Sequence, residues 1–184
     1  MAIHSWLHIL IAAGASVTGT GSRALCIAAH NGHLGAVDIL IAAGVDVNLI
    51  YPIDEAAPLY QAAQNGHVDV VTRLLEAGAE VDTAFPPRGA TSLLIAAQQR
   101  NVEVLKRLIV AGADVNKVST DGAAALHIPA QSGFGDVVEL LISAGADVNK
   151  PTPSGGTPLS LALAFGHSDV ARMLRTAGAT SSSA

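Results

Sequence analysis

Residues 112–116 read Gly-Ala-Asp-Val-Asn, and the same pattern recurs as Gly44 to Asn48, Gly78 to Asp82 and Gly145 to Asn149. Weaker copies start at Gly14 and Gly178, so the six glycines are separated by 30, 34, 34, 33 and 33 residues. A fixed period of this size is the signature of stacked units, each of which buries its apolar face only against a neighbour.

Working outward from these glycines, a second landmark keeps a constant distance from them. The pairs Ala28-Ala29, Ala62-Ala63, Ala96-Ala97, Pro129-Ala130 and Ala162-Leu163 each end 15 residues before a glycine. Between the landmarks lie apolar residues such as Val68, Val70, Val71, Leu74 and Leu75, spaced to share one face of a helix. Each unit therefore holds two short helices. Thr157-Pro158-Leu159 and Ala57-Pro58-Leu59 mark the start of the first, because proline is tolerated where no helical amide is needed and threonine caps the open donors. Gly78 and Gly112 sit where the second helix ends and are read as left-handed C-caps. The alanine pairs keep the first helix thin enough for close approach by its neighbours.

These residues carry a family resemblance. Thr157-Pro-Leu, Ala123-Ala-Ala-Leu-His127, Asn65-Gly-His67, Val70-Val71, Leu74-Leu75 and Gly112-Ala-Asp-Val-Asn116 resemble the ankyrin repeat, whose period is about 33 residues. The resemblance implies an all-α ankyrin-repeat solenoid of stacked helix-turn-helix pairs with short β-hairpin fingers. It spans residues 1–180 as a single array: an N-terminal half repeat at 1–19, then repeats at 20–53, 54–87, 88–120, 121–153 and 154–180. Residues 181–184 read as a disordered tail.

Composition narrows the function. The chain has 184 residues, half of them apolar but only 3% aromatic, so its core is built from Ala, Leu, Ile and Val. A formal charge of −5 and the lack of a Lys/Arg run argue against nucleic acid as a partner. Cys26, the single cysteine, has no internal disulfide partner, which fits the reducing cytoplasm or nucleus. The apolar stretch Trp6 to Ala15 has no basic start, and its Leu10-Ile-Ala-Ala-Gly14 recurs as Leu40-Ile-Ala-Ala-Gly44, so it reads as a repeat unit rather than a leader. No apolar run approaches the roughly 20 residues of a membrane span, and the chain reads as soluble.

Several positions depart from the repeat pattern. The loop after Gly14 is short, which predicts an abbreviated first finger. Arg23 and Cys26 replace the capping Thr and the His of the helix start, which predicts a weak first full repeat. Pro129 stands at an alanine position; with a helix starting near Ala125, it would remove at most one hydrogen bond and shift the preceding turn. Glu55 stands at a usual glycine, and Tyr51-Pro52 makes the second finger the most individual. In the last repeat, Arg172 and Arg175 turn a normally packed face polar, as a solenoid cap requires.

Candidate chemistry is outweighed by structural readings. His4 and His8 lie one helical turn apart, a workable spacing for two metal ligands, but nothing else joins them. His33, His67 and His167 share one repeat position and His127 matches the family's capping histidine, so all four read as scaffold. Cys26 lacks an evident base, Ser22, Ser92 and Ser132 lack a nucleophile-elbow context, and no phosphate-binding loop is present. Glu76 and Glu80 flank a turn and read as solvated. The chain is expected to be no enzyme and to need no metal or cofactor.

The resemblance instead implies protein binding on the concave surface formed by the fingers and first helices. Carried over position by position, that surface comprises Tyr51, Ile53, Asp54, Gln64 and Asn65, then Phe85, Arg88, Gln98 and Gln99, then Thr120, Asp121, Gln131 and Ser132. Tyr51, Phe85 and Arg88 are the residue types that most often dominate binding, although Tyr51 and Phe85 could instead fold onto the adjacent finger. Phe165 either joins the surface or packs on the fourth repeat. The partner is expected to be another protein, not nucleic acid or a membrane, and the uncapped N-terminal edge is a candidate for self-association. The second reading is a spacer or regulatory arm, part of a larger protein whose activity lies elsewhere. The resemblance also implies hydroxylation as a modification of the finger asparagines Asn48, Asn116 and Asn149.

Overall fold

The structure is a computed structural model that describes residues 20–50 and 56–180. The expectations for the half repeat, for His4 and His8, for the short first finger, for Glu55 and for the tail fall outside these residues.

Ten helices follow one another among the described residues: α1 Thr20–His30, α2 Leu34–Ala42, α3 Pro58–Asn65, α4 Val68–Glu76, α5 Ser92–Gln98, α6 Val102–Val110, α7 His127–Ser132, α8 Gly135–Ser143, α9 Pro158–Ala164 and α10 Ser168–Thr176. They form helix pairs in two layers. First helices stack in the order α1, α3, α5, α7, α9, and second helices in the order α2, α4, α6, α8, α10. The architecture is the all-α solenoid the period predicts.

The core repeats with the sequence. The first helices bury Leu25, Leu59, Leu93 and Leu159, with Leu126 immediately before α7 in the matching place, and each second helix buries another leucine, Leu40, Leu74, Leu108, Leu141 or Leu174. Burying such a side chain contributes about 1.5–3 kcal/mol relative to leaving it in water. Ala29, Ala63, Ala97 and Ala130 are 0–1% exposed, because the next first helix closes over them. Leu163 occupies the same position in the last repeat and is 47% exposed. The polar finish anticipated for this end is therefore confined to α10, where Arg172 and Arg175 face solvent, while Leu163 of α9 and Phe165 just after it are exposed.

Helix ends follow local chemistry. Thr157 caps α9 through a reciprocal pair with Ser160, and Thr91 caps α5 by accepting from the Leu94 amide at 3.3 Å. Pro58 and Pro158 stand in the first turn of their helices, as their fixed φ allows. The glycine following each second helix is left-handed, with φ between 80° and 93° at Gly44, Gly78, Gly112, Gly145 and Gly178.

Two starts differ from expectation. The first helix of the opening repeat runs through the capping position: α1 begins at Thr20, so Arg23 lies inside it. No proline fixes a later start there. In the fourth repeat α7 begins at His127 rather than near Ala125, which places Pro129 in its first turn. A first-turn residue has no helical acceptor for its amide, so Pro129 removes no helical bond, and the Ala130 amide still reaches Leu126 O at 3.0 Å.

Candidate protein-interaction surface

The repeats are joined by two recurring contacts. Asn48, Asn116 and Asn149 each donate from Nδ2 to a glycine carbonyl of the next repeat, Gly78, Gly145 and Gly178, at 3.0–3.2 Å. Their Oδ1 atoms accept the backbone amides of Glu80, Asp147 and Thr180 at 2.8–2.9 Å. Both ends of each amide are thus engaged. Asp82, at the same repeat position, accepts from the Asp114 amide but has no proton to give.

The second contact lies at the turn between the helices. His67 Nε2 reaches His30 O and His167 Nε2 reaches Gln131 O, each at 2.9 Å, while Asn101 donates to Ala63 O and Gln64 O. At the junction of the third and fourth repeats the chemistry changes. Phe134 replaces the histidine, and Arg100, at φ 58°, replaces the glycine it would meet. The Arg100 guanidinium stands 5.3 Å from the Phe134 ring centroid and its Nε donates to both Asp136 oxygens. His127 is buried, accepts from the Ala124 amide at Nδ1 and donates from Nε2 to Lys150 O, both at 2.8 Å. These histidines therefore hold backbone, and among the described residues no group of His, Cys, Asp and Glu comes together as a metal site.

The fingers also stack on one another. In the third, the Phe85 amide bonds to Ala90 O at 3.0 Å and closes an antiparallel bridge around the turn at 86–89. In the fourth, Ser119 bonds to Ala123 and its hydroxyl donates to the Asp121 carboxylate. The Thr120 amide then donates to Arg88 O at 2.7 Å, joining the two fingers. Ser119 holds the Asp121 carboxyl below its ordinary pKa, and the Ala123 amide and Arg88 add to the effect.

Of the residues assigned to the binding surface, Tyr51, Ile53 and Asp54 lie outside the described residues. Phe85 must be removed from the exposed set. It is 3% exposed, buried with Ala56 and Ala57 and set edge-on against Tyr60 with centroids 5.2 Å apart. An aromatic at the base of a hairpin gains more by covering the start of the helix pair before it than by facing water. Burial beneath this contact raises the Tyr60 pKa, partly offset by Arg88.

The remaining residues form two groups. Arg88 and Asp121 are exposed on adjacent fingers, and Thr120 is exposed but packed on the third finger, its hydroxyl 3.5 Å from Pro87 O. Gln98, Gln99 and Ser132 are exposed near the ends of α5 and α7, with Gln64 and Gln131 half-buried beside them. Asn65 is exposed but occupied, donating to Gln61 O at 2.9 Å and lying 3.2 Å from His30 Nδ1. Phe165, left open between two placements, is 55% exposed.

Sequence reasoning missed the first-repeat end of this face. Ile27, His30, Asn31 and Gln61 border a hollow of about 240 Å³ that reaches the buried Cys26. The signal was present, since His30 and Asn31 occupy the positions of Gln64 and Asn65 one repeat earlier.

A family model described as ankyrin repeats (3 copies) matches residues 4–84 and 93–183, nearly the whole length. The chain belongs to the ankyrin repeat family. No curated protein matches it. Ankyrin repeats are generally protein–protein interaction modules and generally not enzymes, and no helix among the described residues is long and apolar enough to cross a membrane.

Proposed function

We propose that this ankyrin array is a protein-binding module whose contact surface runs along the fingers and the C-terminal ends of the first helices. One observation carries the reading. The side-chain amides of Gln64, Gln98, Gln99 and Gln131 have no hydrogen-bond partner among the described residues, whereas Asn48, Asn101, Asn116 and Asn149 are all tied into repeat junctions. Open donors and acceptors held on a rigid scaffold suit the backbone of a bound protein segment. The repeat boundaries at 20–53, 54–87, 88–120, 121–153 and 154–180 belong to the same proposal, each enclosing one helix pair. Cytoplasm or nucleus fits the lone cysteine.

A pull-down from source lysate tests it, comparing the wild type with an Arg88→Ser, Gln98→Ala, Gln131→Ala variant of unchanged helicity. Retention of a protein by the wild type and its loss by the variant supports the surface. Equal retention by both overturns it and favours the second reading, an ankyrin spacer or regulatory arm of a larger polypeptide. That alternative draws on the exposed Leu163 and Phe165 at the end of α9, which suit packing against another part of such a chain.

A further inference from the structure

Charge divides the two helix layers. Every second helix carries at least one Asp, Glu, Lys or Arg, and α4, α6 and α10 carry three each. The first helices α3, α5, α7 and α9 carry none, and Arg23, in the first turn of α1, is the one such residue in that layer. Burial does not demand this. Asn65, Gln98, Gln99 and Ser132 are exposed and Gln64 and Gln131 half-buried, at positions where a solvated helix commonly places ions. On the adjacent fingers Arg88 and Asp121 attract one another, so this pair leaves no single charge to select a charged ligand. An ion carried into a contact must be paired there or its lost hydration weakens the complex, and interface cores are accordingly poor in charge.

Three of the open side-chain amides form a row. Gln64, Gln98 and Gln131 occupy the same repeat position near the C-terminal ends of α3, α5 and α7, which stack in succession. None of the three amides has a hydrogen-bond partner among the described residues. Packed helices lie about 8–10 Å apart, so the row crosses two such steps, roughly 16–20 Å. An extended chain advances about 3.3 Å per residue, covers that length in about five or six residues, and offers unpaired N–H and C=O groups along it. A helix advances about 1.5 Å per residue, needs about eleven to thirteen, and keeps its backbone groups bonded to one another.

Resting on the protein-binding reading above, we infer that the partner segment lying across the first helices is extended and uncharged, its backbone amides paired in turn with Gln64, Gln98 and Gln131. Its affinity comes from neutral hydrogen bonds and excluded water, so it is insensitive to salt.

The probe is a phage-displayed library of random linear peptides selected on the full chain. The selected peptides are then synthesised and titrated against the wild type, Gln98→Glu and a Gln64→Ala, Gln98→Ala, Gln131→Ala variant, each with wild-type helicity and melting temperature. Selection should deplete Asp, Glu, Lys and Arg, and trimming the peptides to about seven residues should leave their affinity within about twofold. The Kd should change by less than about twofold between about 0.05 and 0.5 M salt. Gln98→Glu, which brings an unpaired carboxylate into the contact, should weaken binding at least about tenfold, as should the triple alanine variant.

Charged or salt-sensitive peptides, a need for about twelve residues or more, or equal binding to Gln98→Glu overturns the inference. If such peptides still weaken on the triple variant, the binding surface stands and only this assignment falls. Peptides indifferent to both variants remove both. No enrichment overturns the inference, and the pull-down then decides the surface reading alone.

Discussion

The His167 ring closes on Gly133 so tightly that a Cβ added there would lie 2.5 Å from its Nδ1, while its Nε2 reaches Gln131 O at 2.9 Å. One repeat later Gly166 has nearly the same backbone, φ 79° against 74°, and nothing within 4 Å of that Cβ. The pair separates backbone strain from steric exclusion. Gly166→Ala should cost about 1 kcal/mol for the left-handed backbone alone. Gly133→Ala should cost a further 1–3 kcal/mol, roughly, for the collision with His167. Urea denaturation of both variants checks this, and equal losses would mean the ring yields freely.

Asp82 is the weak clip in the finger series. Its carboxylate accepts from the Asp114 amide at 3.1 and 3.2 Å but has no proton for the glycine carbonyl, Gly112 by repeat position, that the asparagines bind at the other junctions. Asp82→Asn should restore the second bond and stabilise the array by about 0.5–1.5 kcal/mol. The expected observation is a higher urea midpoint with an unchanged slope.

The Arg100 and Phe134 junction should behave as a unit. Phe134→His alone should destabilise, because the Arg100 Cβ occupies the space that glycine leaves open for the ring at the other junctions. Arg100→Gly relieves the left-handed strain but removes an exposed ion pair with Asp136 worth at most about 1 kcal/mol. Combined, the two changes should recreate the histidine-on-glycine contact. A double-mutant cycle should give a favourable coupling above about 0.5 kcal/mol, and strict additivity would refute the equivalence.

The Ser119 hydroxyl stabilises ionised Asp121, so the folded-state pKa lies below the ordinary 3.8. This contribution is present above the ordinary value and is lost as pH falls through the lower folded one. Ser119→Ala should therefore move the Asp121 titration up toward 3.8, as followed by carboxyl carbon NMR. An unmoved titration would assign the shift to the Ala123 amide and Arg88.

Leu74 is fully buried in α4, in the continuous core. Leu74→Ala should cost about 2–5 kcal/mol. A denaturation midpoint within error of the wild type would place Leu74 outside the cooperative core.

The features legible in the sequence are those that repeat. The period, the helix pairs, the glycine stops and the capping at Thr157 all follow from local preferences sampled several times over. Phe85 was misplaced because its environment, Ala56, Ala57 and Tyr60, lies at the opposite end of the 54–87 repeat, and helix periodicity does not encode that packing. Likewise Pro129 was expected about half a turn further into its helix, since helix starts shift cheaply where no Thr-Pro pair fixes them. The bond from the Thr120 amide to Arg88 O depends on two fingers meeting, which spacing alone does not reveal.

The substitution of Arg100 and Phe134 for glycine and histidine gives the array an internal address. Where a boundary uses the histidine contact, as at His67 and His167, one repeat can in principle be exchanged for another of the same kind. The boundary between the third and fourth repeats is matched to its own two halves. Shuffled arrays should therefore be most stable when those two stay adjacent and in order, so a chain built of near-copies still encodes which copy comes next.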